Sequence, residues 1–186
     1  MRFSPDGHKL ADATLGAIHI LDLAPVDSGL AAAELVKIPL DNNKVRLESI
    51  FFTPNGDRLV TTQLGSLTGQ IGVNTLGNEI QIWDTATGLL LFSILPEQQL
   101  LAGIISPDGQ TYFSVHAGGE LHSWDISSLG SPEELAVTTA GNGDTPYLSP
   151  DGEQLLVMSQ VDLEGGKYQF SWNSIIRQQL IPLTSF

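Results

Sequence analysis

His116 and His122 stand six residues apart across Ala117-Gly118-Gly119-Glu120, and with Glu120 they offer the imidazole and carboxylate donors that a divalent metal takes. A repeat in the chain argues for packing instead. His122 falls two residues before Trp124, as His19 precedes Leu21, Gln81 precedes Trp83 and Phe170 precedes Trp172. A position filled by His, Gln and Phe is one that packs and tolerates a varied tip. Gly141-Asn142-Gly143-Asp144 carries oxygens that calcium accepts, but a plain turn accounts for it as well. There is no Gly-x-Ser-x-Gly elbow, and no local pattern joins Ser, His and Asp into a triad. Gly65, Gly69 and Gly72 lack the spacing of a phosphate-binding loop. The 21 acidic residues are scattered, so spacing selects no acid–base pair. Without cysteine there is no disulfide, thiolate zinc site or cysteine nucleophile. The expectation is therefore no catalytic centre, no metal and no cofactor.

Charge narrows the partner. Eight basic residues against 21 acidic ones leave the 186-residue chain at −13. Such a surface repels phosphate backbones and anionic membranes and attracts basic partners. A basic protein or peptide fits; nucleic acid and membrane do not. No apolar run approaches the roughly 20 residues that span a bilayer. The first residues, Met1-Arg2-Phe3-Ser4-Pro5-Asp6-Gly7, lack the basic and then apolar pattern of a signal peptide, which favours the cytoplasm.

The elements that must position these residues repeat. Ser4-Pro5-Asp6-Gly7, Thr53-Pro54-Asn55-Gly56, Ser106-Pro107-Asp108-Gly109 and Ser149-Pro150-Asp151-Gly152 are four copies of one turn, their prolines 49, 53 and 43 residues apart. Proline presets φ, and the Asp-Gly or Asn-Gly that follows tolerates positive φ. Apolar or alternating segments flank each copy, which is a hairpin signal. Downstream, Ile18-His19-Ile20-Leu21-Asp22, Ile80-Gln81-Ile82-Trp83-Asp84 and Leu121-His122-Ser123-Trp124-Asp125 align without gaps, with Tyr168 to Asn173 as a looser fourth copy. Another turn follows, as at Thr85-Ala86-Thr87-Gly88, then a last strand. Four antiparallel strands repeating every 40 to 50 residues describe a propeller blade.

On the Trp83-Asp84 and Trp124-Asp125 dipeptides and the four turns, the chain resembles the WD-repeat β-propeller family in its bacterial style. The resemblance implies an all-β fold of about four four-stranded antiparallel blades, at residues 1–40, 41–96, 97–140 and 141–186, forming a single propeller or part of one. It places Trp83, Trp124 and Trp172 at equivalent positions between blades, and has Asp84 and Asp125 bonding into the turns that follow. Two departures stand out. The family's Gly-His pair before each first strand is missing, and the second unit carries an insertion, with 29 residues from Pro54 to Trp83 against 17 from Pro107 to Trp124. Only Met1 to Phe3 is left of the first strand, and the last strand is expected at Gln178 to Leu183. Three arrangements fit: part of a longer propeller, two copies in an eight-bladed ring, or closure of four blades alone.

In that family one face, built from loops between the second and third strands and between blades, commonly engages partners. Here it would comprise Thr14 to Gly16, Asp41 to Lys44, Gly65 to Asn78, Glu97 to Gln99, Ala117 to Gly119, Gly141 to Asp144 and Asp162 to Gly166. The expected contacts are Gly65, Ser66, Gln70, Asn74 and Asn78 in the insertion, with Asp41, Glu97, His116, Asp144, Asp162 and Glu164. The function expected is a non-catalytic scaffold that binds a protein or peptide. The alternative is a propeller hydrolase or lactonase with a site at the central channel.

Overall fold

The computed structural model describes residues 1–14, 16–23, 25–26, 29–30, 32–40, 45–65, 79–127, 132–139, 145–163 and 167–176. The expected strand Gln178 to Leu183 lies outside them. The chain divides into two compact units, Met1–Pro96 and Glu97–Phe186. Among the described residues every regular element is a strand, and no helix is long and apolar enough to cross a membrane.

In the first unit, β1 (Arg2–Phe3), β2 (Lys9–Ala13), β3 (Ala17–Asp22) and β6 (Ala33–Pro39) form one antiparallel sheet in that order. A second sheet runs β7 (Val45–Phe52), β8 (Arg58–Gly65), β9 (Glu79–Asp84), β10 (Leu90–Ile94). A small hairpin, β4 (Pro25–Val26) with β5 (Gly29–Leu30), sits between β3 and β6, where the repeat predicted only a turn. In the second unit, β11 (Leu100–Ile105), β12 (Thr111–His116), β13 (Glu120–Asp125) and β14 (Glu133–Thr139) make the third sheet. The fourth consists of β15 (Thr145–Leu148), β16 (Gln154–Leu163) and β17 (Lys167–Ile176), three strands among the described residues.

The turn motif works as a small hydrogen-bonded device, repeated four times. The Gly7, Gly56, Gly109 and Gly152 N–H groups donate to the carbonyls of Ser4, Thr53, Ser106 and Ser149 at 2.8–2.9 Å. Each of those hydroxyls accepts the N–H five residues on, from Lys9, Arg58, Thr111 or Gln154. Each also donates to the side chain of Asp6, Asn55, Asp108 or Asp151 at 2.5–2.8 Å. The four glycines have φ of 71–75°, and no described non-glycine residue has positive φ. Ser or Thr, Asp or Asn, and Gly are thus each needed at their own place in the turn.

Within each unit, alternating strand residues bury side chains between neighbouring sheets. Ile18, Ile20, Val36 and Ile38 of the first sheet pack with Phe52, Leu59 and Trp83 of the second. Each such side chain contributes roughly 1.5–3 kcal/mol by leaving water. Lys9 crosses between the same two sheets, its Nζ donating to the Gly56 carbonyl at 3.2 Å and to Thr85 Oγ1 at 3.1 Å. In the second unit Phe113, Val115 and Leu121 pack with Leu155 and Val157. A Cβ at Gly103 would lie 1.9 Å from the Tyr112 hydroxyl oxygen, so β11 passes β12 there only because residue 103 has no side chain.

Candidate functional site

The register fixes which residues are equivalent. Leu21 lies opposite Leu10, Trp83 opposite Leu59 and Trp124 opposite Tyr112, each partner six residues after the Ser or Thr that opens its turn. The residue opposite Leu155, which holds that place in the fourth sheet, is Ile175. Trp172 is opposite Met158 instead, so the looser fourth copy read from the sequence is offset from the register of the other three. Without the Asp that fixes the turn after β9 and β13, nothing local aligned Tyr168 to Asn173. Asp84 behaves as expected: its Oδ1 accepts from the N–H groups of Ala86 and Thr87 and from the Thr87 hydroxyl at 2.7–3.0 Å. The Thr87 hydroxyl and N–H hold its carboxyl below the usual range. Asp125 Oδ1 accepts from the Ser127 N–H and hydroxyl in the same way.

His116 is not a loop residue. It ends β12 and is fully buried. Trp124 Nε1–H donates to Ser114 Oγ at 2.8 Å, and Ser114 Oγ lies 2.7 Å from His116 Nε2. The Gln98 carbonyl beside Nδ1 can only accept, so Nδ1 carries the proton of the neutral ring and Nε2 accepts from the Ser114 hydroxyl. Nδ1–H then points to the Gln98 carbonyl at 3.3 Å. Burial pushes the imidazole down to about 4, opposed by the Gln98 bond. The chain of bonds ties the Glu97 to Gln99 connection to the end of β12, and Ala117 N–H donating to the Gln99 carbonyl at 2.7 Å reinforces it. In the second sheet Trp83 Nε1–H donates to Thr61 Oγ1 at 3.0 Å, and Gln63, which stands where His116 does, donates to Gln81.

His122 stacks on the Trp124 ring, with centroids 5.7 Å apart, and lies 4.3 Å from the His116 ring. Its Nδ1 contacts Glu134 and its Nε2 contacts Glu120 at 3.3 Å. His19 meets Glu34 at 2.5 Å in the equivalent place of the first sheet. These His–Glu pairs were missed in the sequence. The signal that could have found them is the recurrence of Glu34 and Glu134 opposite Leu21 and Trp124.

The expected contact residues are only partly placed. Glu97 is exposed beside the His116 network. Gly65 closes β8, and Asp162 lies within β16 opposite Tyr168 rather than in a loop. Ser66, Gln70, Asn74, Asn78, Asp41, Asp144 and Glu164 lie outside the described residues. Among the described residues no three His, Asp or Glu side chains are grouped to hold a metal.

Solved structures resemble this chain over nearly all its length. A chain in a mitotic checkpoint complex superposes with a TM-score of 0.63 at 19% identity, over 91% of this chain and 47% of its own. The β-propeller domain of Cps50 (Swd1) from Myceliophthora thermophila gives 0.63 at 15%, over 97% and 52%. The fold is a β-propeller. A candidate 6-phosphogluconolactonase from Bacteroides uniformis carries a similar one, with a TM-score of 0.60 at 16% identity, over 94% of this chain and 53% of its own. The four sheets are its blades, and the chain spans about half the length of these propellers. No protein-family model and no curated protein sequence matches it.

Proposed function

We propose that the chain is a non-catalytic WD-repeat scaffold of bacterial style that binds a protein or peptide, favouring a basic one, through its loop-face surfaces. The observation that carries this reading is the blade construction. Four turns locked by the same hydrogen bonds, and a Glu97 to Gln99 connection tied to β12 through His116, form a rigid frame on which loops can vary. Functional contacts concentrate on loops held by such frames. The neighbour found in a mitotic checkpoint complex is a propeller in a protein assembly, which supports the same use here.

Gly65 to Asn78 is the foremost contact segment, joined by Asp41, Glu97, Asp144, Asp162 and Glu164. Replacing residues 66 to 78 by a short Gly-Ser linker is expected to abolish capture of a protein partner and leave the circular dichroism spectrum and melting transition unchanged. Partners retained in full by the shortened chain would refute the assignment. The lactonase-type neighbour favours a second reading, a hydrolase with a metal at the propeller channel. Stoichiometric calcium or zinc in purified protein would favour that reading over the scaffold.

A further inference from the structure

In the first unit, a cavity of about 340 Å³ opens between the β1 edge of the first sheet and the β7 edge of the second. Its wall is formed by Met1, Ala13, Leu47, Ile50 and Phe51, with Arg2 and Ser49 contributing polar side chains. The Arg2 guanidinium carbon sits 5.0 Å from the Phe51 ring centroid. Ser49 Oγ is engaged with Thr62 Oγ1 at 2.5 Å. Among the described residues Arg2 enters no ion pair, although the chain holds 21 acidic residues against 8 basic. Among the described residues no carboxylate stands in the cavity wall.

We propose that this cavity binds a small monocarboxylate with an apolar body, the Arg2 guanidinium taking the carboxylate and the Ala13, Leu47, Ile50 and Phe51 side chains covering the rest. A guanidinium stacked on an aromatic face keeps its N–H edge available, and that edge matches a carboxylate in a two-pronged contact. The Arg2 guanidinium beside these apolar side chains favours a ligand with one anionic end and an apolar body. A polyanion would meet the repulsion of the −13 chain. A cavity of this volume that joins apolar side chains to a guanidinium is of the kind that holds small ligands. The proposal does not rest on the scaffold reading, which concerns loops elsewhere.

The test is titration of the ¹⁵N-labelled full chain with 4-phenylbutyrate, with 4-phenylbutanol and inorganic phosphate as parallel arms. Saturable shifts at the Ser49, Ile50 and Phe51 amides are expected with the acid, and roughly tenfold weaker binding of the alcohol. Arg2→Gln, at an exposed position, should lower acid affinity to the level of the alcohol and leave alcohol affinity unchanged. Ala13→Met, which fills the cavity and keeps Arg2, should weaken both. No saturation, equal affinity for acid and alcohol, or phosphate shifting the same amides as strongly as the acid would each overturn the proposal.

Discussion

His116 is buried between Ser114 and the Gln98 carbonyl, so that a proton added at Nε2 displaces the bond from the Ser114 hydroxyl. The unfolded chain binds that proton near pH 6.5, whereas the folded chain resists it down to about 4. Between these values the unfolded state carries more protons, so folding stability is complete above pH 6.5 and falls as pH drops toward 4. At one shifted unit per roughly 1.4 kcal/mol, the loss is on the order of 2–3 kcal/mol. Urea denaturation at pH 7.5 and 4.5 should show it in the native chain and show a smaller loss in His116→Gln. Tyr112 poses the opposite case. Its hydroxyl is fully buried with no hydrogen-bond partner, and burial raises its pKa. Such a group costs about 1–3 kcal/mol. Tyr112→Phe is therefore expected to hold or raise stability by about 1 kcal/mol in the same assay.

At the scale of the element, the outer strands differ in how they guard their edges. β6 carries Glu34 and Lys37, and β14 carries Glu133 and Glu134. β10 lies within Leu89-Leu90-Leu91-Phe92-Ser93-Ile94-Leu95, with no charge, at the edge of its sheet. Leu89, Leu90 and Leu95 are 65%, 46% and 74% exposed. An apolar edge strand without charge is a template for pairing with another chain. Leu90 lies opposite Trp83, the place held by Glu34 and Glu134 opposite Leu21 and Trp124. Leu90→Glu should therefore keep the fold and reduce concentration-dependent association, measured by static light scattering. Unchanged association would clear β10 of the role.

At the scale of the molecule, the isolated chain holds four blades and spans about half of the propellers it resembles. Large apolar side chains remain exposed in its first and last blades, with Phe3 62%, Tyr147 46% and Phe170 53% exposed. Exposed apolar surface of this kind marks interaction faces. The 186-residue chain is expected to elute above the mass of one copy by light scattering, and to do so even as Leu90→Glu. A mass of two copies would support a paired propeller. A clean monomer would count against both that arrangement and a missing remainder.

The blades were legible in the sequence because their signals are local. A turn of Ser, Pro, Asp and Gly makes all its bonds within six residues, and an alternating strand shows its buried side by its own composition. Asp84 and its bonds into Ala86 and Thr87 could be read in the same way. Tertiary structure decided what depends on register. It moved Trp172 off the Trp83 and Trp124 position, and it buried His116, which the sequence left at the rim of a loop. It also paired His19 with Glu34 and His122 with Glu134 across strands. Each of these rests on which residues of two strands stand opposite one another, and the side-chain period of two lets a small offset move a residue between core and surface.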